Sequence, residues 1–265
     1  MGSPRSGAKY RRNGPRIAQS ALEAFIMIRL ALMASICSCA LLVAADTPQE
    51  RITDASSVFN DIMATPDKGI PRDLLEKAHC IVIVPGLKQA AFGVGGKFGR
   101  GYAICRREKA GWGAPAAIRV EGGSFGFQIG ASSTDVIMLV MNERGMRRLM
   151  QDKFTLGGEA TVAAGPIGRS TAANTDLQLS AEILSWSRSK GLFAGVALQG
   201  ATLRGDEDVN QELYGTKLAS KDILLTERKG PAEARALISS LNRYSRYEAK
   251  DKPIETRGVD SIKKK

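Results

Sequence analysis

At 265 residues, with 43% hydrophobic and 25% charged side chains, the chain is too apolar for a disordered polymer and long enough to bury a substantial core. Its 38 lysines and arginines against 27 acids leave a net charge of +11, which favours anionic partners such as phospholipid headgroups or nucleic acid. One histidine and four cysteines, without zinc spacing or a C-x-x-C pair, argue against zinc, transition-metal and dithiol redox chemistry.

In chain order, the first 45 residues predict a leader rather than part of the fold. Arg29 precedes an apolar run over 30–43, and Val43-Ala44-Ala45 supplies small residues where a signal peptidase would cut before Asp46. Counted from Met27, this is a compact secretory signal, which makes 1–26 a basic extension or a mis-assigned start. Ile36-Cys37-Ser38-Cys39 offers the alternative of a lipoprotein, and the run is too short to predict a membrane span. Six bases and one acid lie in this leader, so residues 46–265 carry +6 and form a single predicted domain.

Ile52, Ala55, Phe59, Ile62 and Met63 recur at helical spacing and predict a helix over 51–64, and Pro71 opens a second one ending near Ala78. From Ile81 to about Met141 the period changes to two. In 81–101, Gly93, Gly95, Gly99 and Gly101 occupy one side of a strand and Phe92, Val94 and Phe98 the other. Three further strands are expected at 112–120, 124–130 and 134–141, with turns at 108–111, 122–123 and 131–133, giving an antiparallel meander. A helix capped by Asn142 and carrying Met146, Leu149 and Met150 follows, then extended segments at 177–186 and 191–203, helices at 206–214 and 231–247, and a polar tail from about 250. Strands grouped between helices predict an α+β domain. Its sheet is antiparallel and glycine-rich, with barrel-like closure as one arrangement. Cys80 and Cys105 fall in neighbouring strand candidates, where a disulfide and two buried thiols both fit.

Motifs for catalysis fail on inspection. The G-K of Gly96-Lys97 lacks the first glycine and the hydroxyl of a phosphate loop, since Ala91 and Phe98 stand there. Gly122-Gly123-Ser124-Phe125-Gly126 matches the nucleophile elbow G-x-S-x-G. An elbow needs a strand-to-helix turn and a downstream histidine, whereas the only histidine, His79, lies upstream. Asp206, Asp208 and Asn210 begin like a calcium loop, but Gln211 replaces its glycine and Lys217 its bidentate glutamate, so helix capping accounts for the acids. The remaining candidates are bases beside the glycine-rich segments: Lys88, Lys97, Arg100, Lys153, Arg169, Arg188, Lys190 and Arg204, which suit phosphate groups. Against each stands an ordinary solvated surface charge. The bare strand faces, for their part, either pack closely or line a slot for an acyl chain.

The blocks "GLKQAAFGVGGKFGRGYAICR", "GWGAPAAIRVEGGSFGFQIGASSTDVIMLVMNERG", "KFTLGGEATVAAGPIGRS" and "AEILSWSRSKGLFAGVALQGATLRGDEDVNQELYG", in this order over about 52–225, resemble the SYLF domain, a lipid-binding module. The resemblance implies binding of anionic phospholipid or phosphoinositide-type headgroups without catalysis or cofactor, with basic residues and an amphipathic N-terminal helix at the membrane. Together with the leader it implies an exported bacterial member, periplasmic or envelope-associated, with neither actin nor nucleic acid as partner. An envelope structural or stress-related protein-interaction module is the alternative, and a hydrolase using Ser124 a third reading.

Overall fold

The computed structural model describes residues 46–65, 69–107, 111–165, 180–189, 192–193 and 198–245, with the strand residues 92–93, 124–129 and 192–193 described by backbone alone. Helix α1 (Pro48–Ala64) begins with a capping box. Thr47 Oγ1 accepts from the Glu50 amide at 3.2 Å, while Glu50 Oε2 accepts from the Thr47 amide at 2.9 Å, so two orphan donors are satisfied reciprocally. α2 (Arg72–Lys77) follows Pro71 as expected.

Two strands of unusual length then form the framework. β1 (Cys80–Arg107) and β3 (Ala116–Val140) pair antiparallel from Cys80↔Val140 to Ala103↔Ala116, and the two-residue β2 (Gly111–Trp112) pairs with the end of β1. The turns expected at 122–123 and 131–133 are absent, because these small residues continue β3. A ribbon of more than twenty residues cannot stay flat given the right-handed twist of each strand. Irregularities between Val84 and Leu87 and between Phe92 and Val94 bend it. The bend brings β1 back onto itself: a Cβ at Gly101 would overlap the Ile83 carbonyl oxygen and stand 2.8 Å from the Val84 Cα. Arg106 N donates to His79 O at 2.8 Å, and Cys80 and Cys105 are joined by a disulfide across the junction. Of the two states open to these cysteines, the structure shows the bridged one.

The remaining strands extend both ends of β3. β6 (Ile183–Ser189) pairs with residues 135–140, and β8 (Thr202–Gly205) with residues 118–121. β4 (Lys153–Thr155) adds to β8, β7 (Leu192–Phe193) to β6, and β5 (Val162–Ala164) joins β6 in parallel. The fold is therefore α+β with a mixed, curled half-barrel sheet. The parallel pair, which a plain antiparallel meander does not contain, is the departure from expectation. β4 and β5 sit in the small-residue stretch, where periodicity is too short to register.

Each sheet face has its own core. On one, Ile81, Ile83, Tyr102, Ile104, Ile137 and Trp186 pack under α1 and the last helix, α6 (Ala234–Tyr244), where Phe59 meets Tyr244 edge to face at 5.8 Å. On the other, Val82, Val84, Val120, Met138, Phe154 and Leu203 fill the curl, closed by α3 (Glu143–Leu149) and α5 (Ser220–Leu225). α4 (Glu207–Tyr214) follows β8 and ends at Gly215, whose φ of 68° is the left-handed stop that favours glycine.

Candidate functional site

Between Val94 and Ala103 the register of β1 with β3 is regular, so side chains alternate strictly. Gly95, Lys97, Gly99 and Gly101 turn into the curl and are buried, whereas Val94 and Phe98 face outward with 65% and 47% of their surface exposed. Gly99 and Gly101 lie against Val84, Leu87 and the Ile83 carbonyl, so these bare positions admit backbone and side chains of the same strand rather than an acyl chain. Lys97 therefore points away from the outer surface. It is 8% exposed, and burial pushes its ammonium below the usual lysine range.

Next along the outward side stands Arg100, and the pairing of four strands places other bases in line with it. Arg100 of β1 pairs with Arg119 of β3, Arg119 with Arg204 of β8, and Arg204 with Lys153 of β4. Residues in register on neighbouring strands share a face at about 4.8 Å spacing, so four cations form one row roughly 14 Å long. Among the described residues two carboxylates touch it. Asp206, almost fully buried at the start of α4, stands 3.1 Å from Arg100 Nε. Glu121 lies between two guanidiniums, 3.4 Å from Arg119 Nε and 3.3 Å from Arg204 Nε. Beside the row is a depression of about 510 Å³ lined by Lys153, Arg204, Glu121, Thr155, Thr202 and Glu159. Arg100 also reaches over the Phe98 ring at 5.8 Å, linking the apolar pair to the row.

Of the bases singled out in the sequence, Arg100, Lys153 and Arg204 thus come together, joined by Arg119. That residue was missed because its significance lies in cross-strand register, which a linear reading does not contain. Lys88 lies further along the ribbon, exposed, donating to Ser133 Oγ at 3.1 Å. Arg188 is committed to structure, bridging Asp61 at 2.8 Å and Asp135 at 3.7 Å and so tying β6 to α1 and β3. Arg169 and Lys190 lie outside the described residues. The apolar face of α1 is not free for membrane insertion, since Ile52, Ala55, Phe59 and Ile62 are all fully buried in the core.

Ser124 sits mid-strand opposite Gly95, so its segment makes no elbow, and His79 belongs to the far end of the ribbon, where its amide donates to Val140 O. Asp206 and Asn210 are likewise occupied. Asn210 Oδ1 accepts from the Ala117 amide at 2.7 Å, and no group of three metal-ligating side chains occurs among the described residues. No helix among them is long and apolar enough to cross a membrane.

Residues 121–244 match a family model described as Ysc84, Las17-binding protein actin regulator. The chain is 33% identical over 196 residues to the SH3 domain-containing YSC84-like protein 1 of Rattus norvegicus, covering 73% of this chain and 57% of that protein. It is 34% identical over 194 residues to the Homo sapiens protein of the same name, covering 72% and 56%, and 34% identical over 178 residues to Protein YSC84 of Saccharomyces cerevisiae, covering 66% and 38%. The chain thus spans somewhat over half the length of the vertebrate relatives and less of the yeast one.

Proposed function

The chain belongs to the SYLF, or Ysc84, domain family, and on that premise we propose that it binds anionic phospholipid membranes without catalysing a reaction, using the outer side of its curled ribbon. The observation that carries this reading is the adjacency of Val94 and Phe98 to the row Arg100, Arg119, Arg204 and Lys153 on one side of one sheet. Apolar side chains that project into the interfacial region gain by leaving water, and bases beside them are attracted to anionic headgroups by roughly 1 kcal/mol each near the surface. Neither term alone gives stable attachment; together they do.

Export through the leader is part of the same proposal. The Cys80–Cys105 disulfide supports it, since such bonds persist in oxidising compartments. In that setting actin is not met, so the actin regulation in the family's description is not carried over. The family model is described as Las17-binding and the vertebrate relatives are named for an SH3 domain, and this supports a second reading in which the domain's role is to hold a protein partner.

The test is co-sedimentation of the chain with neutral and anionic vesicles, for the wild type and for a Val94→Asp/Phe98→Asp variant. We expect binding only to anionic vesicles, lost in the double variant while its melting temperature stays within a few degrees, because both positions are exposed. Equal binding to neutral and anionic vesicles overturns the anionic-headgroup reading, and none to either sinks the lipid reading and leaves the protein-partner reading.

A further inference from the structure

Like charges placed directly opposite each other across strands oppose sheet formation, yet three consecutive pairs in this sheet, Arg100↔Arg119, Arg119↔Arg204 and Arg204↔Lys153, are cation against cation. The two carboxylates on the row differ in kind. Asp206 is almost fully buried and stands 3.1 Å from Arg100 Nε, itself outside hydrogen-bonding geometry. Glu121 keeps 36% of its side chain exposed and is divided between two guanidiniums, with Arg204 Nη2 at 3.5 Å as its one contact within hydrogen-bond limits. The Nε groups of Arg119 and Arg204, like that of Arg100, are buried and lie outside hydrogen-bonding geometry with any acceptor among the described residues. Among the described residues no carboxylate pairs with the ammonium of Lys153, which lines the same depression.

We propose that Arg119, Arg204 and Lys153 form a seat for a phosphate monoester, and that Glu121 is the internal anion this ligand displaces. The proposal rests on the membrane reading only for where the phosphate comes from. Three cations against Glu121 and Glu159, which lines the same depression, leave one positive charge, and two once Glu121 is displaced; a monoester carries about −1.5 to −2 near neutral pH. A tetrahedral phosphate accepts from the guanidinium forks and the ammonium at once, while the Thr155 and Thr202 side chains line the same depression. Glu121 faces the two Nε groups with separate oxygens, at 3.4 and 3.3 Å, and neither contact has hydrogen-bonding geometry. The source is either a free phosphate ester or a lipid headgroup ending in one.

The experiment uses the full chain with two probes: glycerol 3-phosphate in solution, and phosphatidylcholine vesicles carrying either phosphatidic acid or phosphatidylglycerol at matched surface charge. The informative variant is Glu121→Gln. Its control is Glu207→Gln, which changes net charge equally but whose carboxylate pairs with Lys217 at 3.5 Å rather than with a base of the row. We expect the wild type to prefer phosphatidic acid, Glu121→Gln to bind it on the order of fivefold tighter, and Lys153→Gln to lose a similar factor, as one charge at the seat implies. Glu207→Gln should stay within about twofold, and glycerol 3-phosphate should compete. If Glu121→Gln and Glu207→Gln behave alike and the two anionic vesicles bind equally, the seat is overturned while the membrane reading stands. If glycerol 3-phosphate binds and no vesicle does, the seat stands and the membrane reading falls. Lys153→Gln, at an exposed edge-strand position, keeps the test independent of folding.

Discussion

At Gly101 the strand β1 leaves no room for a side chain, because its own Ile83 carbonyl occupies the place a Cβ would take. Gly101→Ala should therefore lower stability by about 3 kcal/mol, the upper part of the usual overpacking range, whereas Gly130→Ala, with nothing within 4 Å, should change it by less than about 0.5 kcal/mol. Denaturant midpoints of the two variants check this, and equal midpoints would mean that the curl is loose. Lys97 makes a pH-dependent prediction. Its folded-state value is lowered by burial, so between that value and the ordinary 10.5 the unfolded chain binds more protons than the folded one. Stability attributable to Lys97 therefore rises with pH through this window. Relative to Lys97→Met, the wild type should gain melting temperature as pH increases towards 10.5, and a difference flat from pH 7 upward would contradict the burial.

The elements divide by what their apolar residues touch. α1 has the amphipathic pattern of a membrane-surface helix, but its apolar stripe is spent on the sheet and on Tyr244 of α6. Phe59→Ala should cost about 3–5 kcal/mol in stability, and the protein that remains folded should still bind anionic vesicles. Loss of binding in that folded fraction would return the helix to the membrane. The disulfide links the two ends of β1 over a sequence separation of 25 residues, where they meet after the curl. Replacing both cysteines by alanine should remove about 3.5 kcal/mol, the chain-entropy value for a loop of this size, read as a shift of the unfolding midpoint.

For the whole molecule, charge distribution matters more than net charge. The +6 of residues 46–265 suits any anionic surface, but in the described structure Arg188 and Arg100 are already engaged by carboxylates and Lys97 is buried. Vesicle binding should weaken as salt rises from 50 to 500 mM, because exposed charges are screened beyond a Debye length of about 10 Å at 0.1 M. Charge reversal of Arg119, Lys153 and Arg204 should reduce binding more than reversal of Lys250, Lys252 and Arg257. The opposite order would identify generic adhesion through the basic C-terminal segment.

Local pattern was enough for much of this protein. The period-two glycines of 93–101, the helical spacing of 52–63 and the Asn142 cap each act within a few residues, and the α+β class follows from the order of the elements. The long glycine-rich blocks were likewise enough to identify the family. What sequence left open depended on chain segments far apart meeting. Whether 122–123 and 131–133 turn or continue was decided by pairing with β1, whose bend the small residues accommodate. Whether α1 is free or buried was decided by the sheet beneath it, since an apolar stripe has the same spacing in either case. The row of cations has no linear signature at all: Arg100, Arg119, Lys153 and Arg204 become neighbours only because four strands align in one register, and register is a property of the folded sheet.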